Sequence, residues 1–219
     1  MHELAEYIFF IGQGVGITLL LLLGSLIIGL GLGMSLAIAC YQGKYTWFIT
    51  KWVSVMRGTP MMLQLSFVYF VLPALLKINL DMLLAGILAF GFNSAAYLAE
   101  IFRAGIEGVP KGQFQAARSL GVPTFYLWKD IVLPQVFQGI WPALVNEVIT
   151  LTKETALISV IGGMDIMRSA QVISAEHFTY FMPLCIAAVY YYLLVYAIEC
   201  LSKLMIKKGV IYAQSNQCI

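Results

Sequence analysis

The stretch YIFFIGQGVGITLLLLLGSLIIGLGLGMSLAIACYQG, Tyr7 to Gly43, contains no charged residue. A helix that spans a bilayer needs about 20 apolar residues, within about 17 to 25. This run crosses with length to spare. The rest of the chain agrees with it. Of 219 residues, 61% are hydrophobic and only 11% charged, with a mean hydropathy of +0.87. So little polar side chain is too sparse to coat a water-soluble globule. A soluble enzyme, a disordered tail and a nucleic-acid binder are excluded as classes, and a net charge of +2 points to no polyanionic partner.

Outward from that run, further uncharged stretches lie between Arg57 and Lys77 and between Asp81 and Glu100. A fourth begins after Asp130 and continues to Met164, interrupted by Glu147, Lys153 and Glu154. A fifth runs from Phe178 to Ile198. The runs are continuously apolar rather than alternating, so helices and not barrel strands satisfy the backbone. The expectation is an all-α membrane protein, one domain over 1–219. Its five spans lie at about 12–40, 55–76, 81–103, 135–162 and 178–203, with a loop over 104–134.

Basic residues in short connections set orientation. An outer N-terminus gathers Lys44, Lys51, Arg57, Arg103, Lys111, Arg118, Lys129, Lys203, Lys207 and Lys208 on the cytoplasmic side, and leaves out only Lys77, Lys153 and Arg168. The reading is N-out, C-in. Glu3 and Glu6 ahead of the first apolar run argue against a cleaved signal peptide. Cys40, Cys185, Cys200 and Cys218 form no C-x-x-C pair and predict no disulfide framework. The isolated His2 and His177 predict no metal site.

The longest polar stretch, Arg103 to Pro134, reads as structured. Pro110-Lys111-Gly112 interrupts the third helix. Gln113 to Leu120 is rich in helix formers, and Gly121 suits a left-handed cap. Pro123 and Thr124 open a second helix running towards Leu133-Pro134. This is a helix-turn-helix on the cytoplasmic face, whose small residues Ala116 and Ala117 permit close approach of a partner.

Gln115-Ala116-Ala117, three residues, Gly121, nine residues and then Ile131-x-Leu133-Pro134 resembles the "EAA" loop of ATP-binding-cassette importer permeases. Arg57-Gly58-Thr59-Pro60 followed by Gln64 narrows the resemblance to permeases for polar amino acids. So do Asn93 with Ala99-Glu100-Ile101-Phe102-Arg103-Ala104-Gly105-Ile106, and Asn146-Glu147 to Lys153-Glu154-Thr155-Ala156-Leu157. The resemblance implies coupling to an ATPase through Gln115, Ala116, Ala117, Gly121, Leu133 and Pro134. It implies a cytoplasmic ATPase dimer, a second permease subunit (identical or homologous), an extracytoplasmic amino-acid-binding protein and a bacterial inner (plasma) membrane. One departure stands out: Gln115 occupies a position where the family usually carries Glu, so an ion pair to the ATPase is replaced by a neutral hydrogen bond.

No G-x-x-x-x-G-K-[ST] occurs, so energy must come from another subunit, and the chain needs no cofactor. Gly12/Gly16 and Gly29/Gly33 are spaced for close helix packing.

An ionisable group at the bilayer centre costs about 2.5 to 3.5 kcal/mol on insertion scales. Glu147, Thr150 and Glu154 nevertheless form one polar stripe, some 10 Å long at about 1.5 Å per residue. On the third helix, Asn93 is followed by Tyr97 and Glu100 on one face. These groups suit a water-filled cavity that meets the cationic part of a substrate. The resemblance places them in the translocation cavity and adds Gln64. Two carboxylates favour a second positive charge, hence a basic amino acid such as arginine, with glutamine the close competitor. Arg103 and Glu107 are spaced for an ion pair, while Lys153 has no evident partner. Asp165 to His177 reads as an amphipathic helix in the headgroups. The rival reading is a secondary, proton-coupled transporter using the glutamates as carriers. Such a protein would be expected to show an internal repeat, and none is seen.

Overall fold

A computed structural model describes residues 2–207; Lys208 and Cys218 lie outside them. Among the described residues every regular element is helical. Three helices are individually long and apolar enough to cross a membrane: α1 (His2–Tyr41), α4 (Met82–Glu107) and α8 (Phe181–Lys207). Two bent pairs raise the candidate spans to five. One joins α2 (Thr46–Gly58) to α3 (Met61–Leu76) at 103°; the other joins α6 (Thr124–Ile161) to α7 (Ile166–Glu176) at 46°. The short helix α5 (Lys111–Ser119) stands between α4 and α6.

Prolines decide where these helices bend and where they do not. At Thr59-Pro60 the chain turns sharply. Thr59 is extended (φ −113°, ψ 144°), as a residue before proline prefers. The expected span 55–76 therefore divides here, and its first residues belong to α2. Pro73 and Pro134 behave differently. Each follows a widened turn, in which Leu72 N–H reaches back five residues to Phe67 C=O and Leu133 N–H to Trp128 C=O. A proline ring clashes with the carbonyl four residues back, and the wider turn relieves that clash without breaking the helix. The second helix of the loop accordingly does not stop at Leu133-Pro134. It runs unbroken into the stretch expected at 135–162.

Packing is closest between α1 and α4. Gly33 lies where a Cβ would stand 2.8 Å from Leu98 Cβ, and a Cβ on Gly91 would meet Ile28 Cβ at 2.9 Å. Gly29 also faces α4 through Ser94, whereas Gly16 faces open space. The expected glycine packing thus holds for one pair only. α7 does not lie in the headgroups with its apolar face. Ile166, Ala170 and Ile173 are buried against Ile11 of α1 and Ala187 of α8. Asp165 fixes this docking: its Oδ1 accepts from Arg168 N–H at 2.8 Å, capping α7, and its Oδ2 accepts from Tyr191 O–H at 2.8 Å. An amphipathic sequence shows that a face is apolar, but not whether lipid or protein covers it.

Candidate functional site

The polar residues of the interior gather where α4 and α6 pack against the α2–α3 elbow. The elbow is held by Gln64. Its Nε2 donates to Met56 C=O at 2.7 Å, to Thr59 Oγ1 at 2.8 Å and to Thr59 C=O at 3.2 Å. The last carbonyls of a helix lack intrahelical partners, and here the amide of the next helix supplies one. Gln64 Oε1 remains buried without a partner among the described residues.

On α4, Asn93 is buried and donates through Nδ2 to Met61 Sδ at 2.9 Å, so it faces the elbow. Its neighbour Ser94 faces α6 and donates through Oγ to Glu147 Oε1 at 2.8 Å. Glu147 is buried, with 9% of its surface accessible. Thr150 and Glu154 continue along α6 and are half-buried. Asn93 and Glu147 are thus on adjacent faces of one seam, each with its own partner. Lys153 is exposed and forms no ion pair among the described residues.

Two turns along α4 from Asn93, a charged ladder appears. Arg103 Nη2 meets Glu100 Oε2 at 2.8 Å and its Nε meets Glu100 Oε1 at 3.2 Å. The remaining nitrogen, Nη1, holds both oxygens of Glu107 at 2.8 Å. Arg57, from the end of α2, comes within 3.7 Å of Glu100 and lies over the Tyr97 ring, 5.2 Å from its centroid. The Arg103–Glu107 pair matches its spacing; Arg57 joins it only because the elbow folds α2 back on α4.

Two cavities meet at this ladder. One of about 770 Å³ opens between α1, α2 and α4; the other, about 890 Å³, opens between α4 and α6. Arg57, Tyr97 and Glu100 line both. Asn93, Glu147, Thr150, Glu154 and Gln64 line neither. The second cavity's wall on α6 includes Gly139 and Ala143. At about 100° per residue, Gly139, Ala143, Glu147, Thr150 and Glu154 fall within an arc of about 80°. The stripe therefore continues the cavity's own face, with Glu147 one turn beyond Ala143.

Beyond the end of α4 that bears Glu107, α5 projects as a knob. Gly121 has φ +67°, and Val122 N–H donates to Ala117 C=O at 3.0 Å, closing the helix as a left-handed glycine cap does. Gln115 and Ala116 are exposed, whereas Ala117 is buried among Leu127 and Val132. The exposed small surface is Ala116 without Ala117, whose lack of bulk lets α5 lie close to α6. Leu133 is half-buried and Pro134 exposed, both on α6 rather than on the knob. Beside Gln115 and Ala116, the surface here shows Leu120 (81% accessible), just past the end of α5, and Phe125 and Tyr126 at the start of α6. Sequence reasoning passed over these three; the signal was a large apolar residue placed at a helix end outside the bundle.

Residues 29–208 match the family described as "Binding-protein-dependent transport system inner membrane component". The chain is 45% identical over 207 residues to the protein of Rickettsia conorii named "Putative glutamine transport system permease protein GlnP", covering 93% of this chain and 94% of that one. It is 46% identical over 201 residues to the arginine transport system permease protein ArtQ of Bacillus subtilis, covering 91% and 92%. Among solved structures, an amino acid ABC transporter crystallised with histidines superposes at a TM-score of 0.85, with 33% identity over 94% of this chain and 97% of that one. An inward-facing MetNI methionine ABC transporter shares the fold at a TM-score of 0.77, with 18% identity over 91% and 96%. With a match over most of its length and relatives above 40% identical across nine-tenths of it, the chain belongs to the family of binding-protein-dependent transport system inner membrane components, and is a permease subunit rather than an enzyme.

Proposed function

We propose that this permease forms the pathway of an ATP-driven importer for polar amino acids, basic ones such as arginine or else glutamine. What carries the reading is the helical register that sets Glu147, Thr150 and Glu154 on the side of α6 bearing Gly139 and Ala143, which wall the 890 Å³ cavity between α4 and α6. A carboxylate is costly to bury without a partner, and Glu147 has only the Ser94 hydroxyl. A substrate cation arriving from the cavity face supplies the missing charge. Asn93 and the free Oε1 of Gln64 add neutral acceptors on the elbow side. Relatives named for glutamine and for arginine agree with both substrate readings.

The chain crosses a bacterial inner membrane five times, N-terminus out and C-terminus in, with each bent pair counted as one crossing. It works with a second permease subunit, a cytoplasmic ATPase dimer and an extracytoplasmic binding protein. The α5 knob seats in the ATPase through Gln115, Ala116, Leu120 and Gly121, and Ala117 ties its motion to α6. Because α6 is continuous from Thr124 to Ile161, a push on the knob moves the acidic stripe as a rigid element. The expectation of a proton-coupled carrier gains no support from a family defined by binding-protein-dependent transport.

Reconstitution of the assembled complex in proteoliposomes tests this. ATP inside with binding protein and labelled arginine or glutamine outside gives uptake, and Gly121→Val, strained at φ +67°, keeps ATP hydrolysis but lowers uptake about fivefold. Uptake driven by a proton gradient without ATP sinks the proposal.

A further inference from the structure

The ladder at the meeting of the two cavities contains one cation whose hydrogen-bonding capacity the described residues leave unused. Arg103 is fully engaged: three of its nitrogens make four hydrogen bonds to Glu100 and Glu107. Arg57 is not. Its closest carboxylate oxygen, on Glu100, is 3.7 Å away, beyond hydrogen-bond reach, and its side chain is 44% accessible. Among the described residues its guanidinium makes no hydrogen bond. The Tyr97 ring lies beneath it, 5.2 Å from Cζ to the ring centroid, a cation–π contact that uses none of its N–H groups. A guanidinium seated over a ring, with its fork free and a cavity on either side, suits a carboxylate held in two parallel hydrogen bonds.

From this geometry we infer that Arg57 reads the α-carboxylate of the transported amino acid. The inference rests on the amino-acid reading above and adds a second contact to it. Glu100 stands beside Arg57, and Arg103 takes two of its roughly four acceptor positions. The other two are open to the α-ammonium, which sits one carbon from the carboxylate in every amino acid. Arg57 and Glu100 together form a zwitterion station, indifferent to the side chain. It lies about 10 Å along α4 from Asn93, seven residues at about 1.5 Å each. The side chain is read by the α6 stripe and the backbone charges by Arg57 and Glu100, so the two selections are separate.

The test uses the permease–ATPase complex in detergent, without the binding protein, so that its own selectivity does not enter. Equilibrium binding of L-arginine and of L-glutamine is compared with that of their α-methyl esters, which keep side chain and ammonium but lack the carboxylate. The wild-type complex binds the free acid at least tenfold more tightly than the ester, as expected for a charge-assisted pair. Arg57→Gln brings acid and ester to the same affinity by weakening the acid alone, and Arg57→Lys restores part of the preference. If Arg57→Gln does not assemble, Arg57→Lys, which keeps the charge but loses the fork, carries the comparison with a severalfold smaller preference than wild type. Equal weakening of acid and ester makes Arg57 a structural brace and overturns the inference, as does a wild-type complex that binds both alike. A wild-type complex that binds neither, and takes up no amino acid with binding protein present, overturns the amino-acid reading itself.

Discussion

Two stretches of the same seam, two helical turns apart, satisfy their polar groups in opposite ways. At the Glu107 end of α4, four charged side chains form a ladder of two short ion pairs and one longer approach, beside two cavities. In the middle, Glu147 has one hydroxyl and Asn93 one thioether sulfur. The ladder is locally neutral and opens on two cavities, so its outer pair, Arg103 and Glu107, can lose a member at little cost, while Arg57 keeps its N–H groups uncommitted. The middle is dry and under-partnered. A protein that only needed helix–helix adhesion would gain more from Leu at 147 than from a carboxylate, since interhelical polar contacts average about 0.6 kcal/mol. On the proposed reading, the middle stays polar because a substrate cation completes it.

Replacing Glu147 is the sharpest way to break that comparison. Glu147→Ala removes the carboxylate and leaves Ser94 Oγ without its acceptor, and uptake in proteoliposomes falls tenfold or more while the complex stays assembled on size exclusion. A Glu147→Ala complex that transports at the wild-type rate would make the middle mere adhesion. Glu154→Ala comes next. It is half-buried with no ion pair among the described residues, so its charge is free to act on substrate. About fivefold loss is expected for arginine and less than twofold for glutamine; equal losses remove the preference for a basic side chain.

Much of this was legible from residues alone, because hydropathy and spacing act locally. The apolar runs announced α1, α4 and α8, the 147–150–154 spacing announced the stripe, and Gly121 announced the turn that it makes at φ +67°. What was missed depends on the chain folding back on itself. Ser94 is one serine among small residues until α6 brings Glu147 against it. Arg57 lies 43 positions from Glu100 in sequence, and only the 103° bend at Thr59-Pro60 joins them. The boundary expected between the loop at 104–134 and the span at 135–162 does not appear, because the widened turn at Leu127–Val132 accommodates Pro134 and lets α6 continue.

Gln64 sharpens the comparison from the elbow, which serves both regions. Gln64→Ala leaves the part-buried Met56 and Thr59 oxygens without the amide that caps them, at a cost of about 0.5 to 1.5 kcal/mol per hydrogen bond lost. The purified complex should melt several degrees lower. Arg57 is positioned by the same bend, so acid-over-ester preference should fall along with stability. A variant with unchanged melting would mean that proline alone holds the bend.

The smallest effect is expected at the outer rung of the ladder. Glu107 is 62% accessible and pairs with Arg103 four residues back, and exposed pairs at this spacing contribute about 0.3 to 0.5 kcal/mol. Glu107→Ala frees only Arg103 Nη1, since Nε and Nη2 stay bound to Glu100. Arg103 therefore keeps its place, Glu100 keeps its partner, and Arg57 feels no change. Uptake and acid-over-ester preference should match wild type, and the melting shift should be near a degree at low salt and shrink at high salt, as the Debye length falls from about 10 Å at 0.1 M to about 3 Å at 1 M. A large, salt-insensitive loss would mean that the four charges act as one buried unit. The wet end would then be as dependent on each group as the dry middle, and the contrast between them would dissolve.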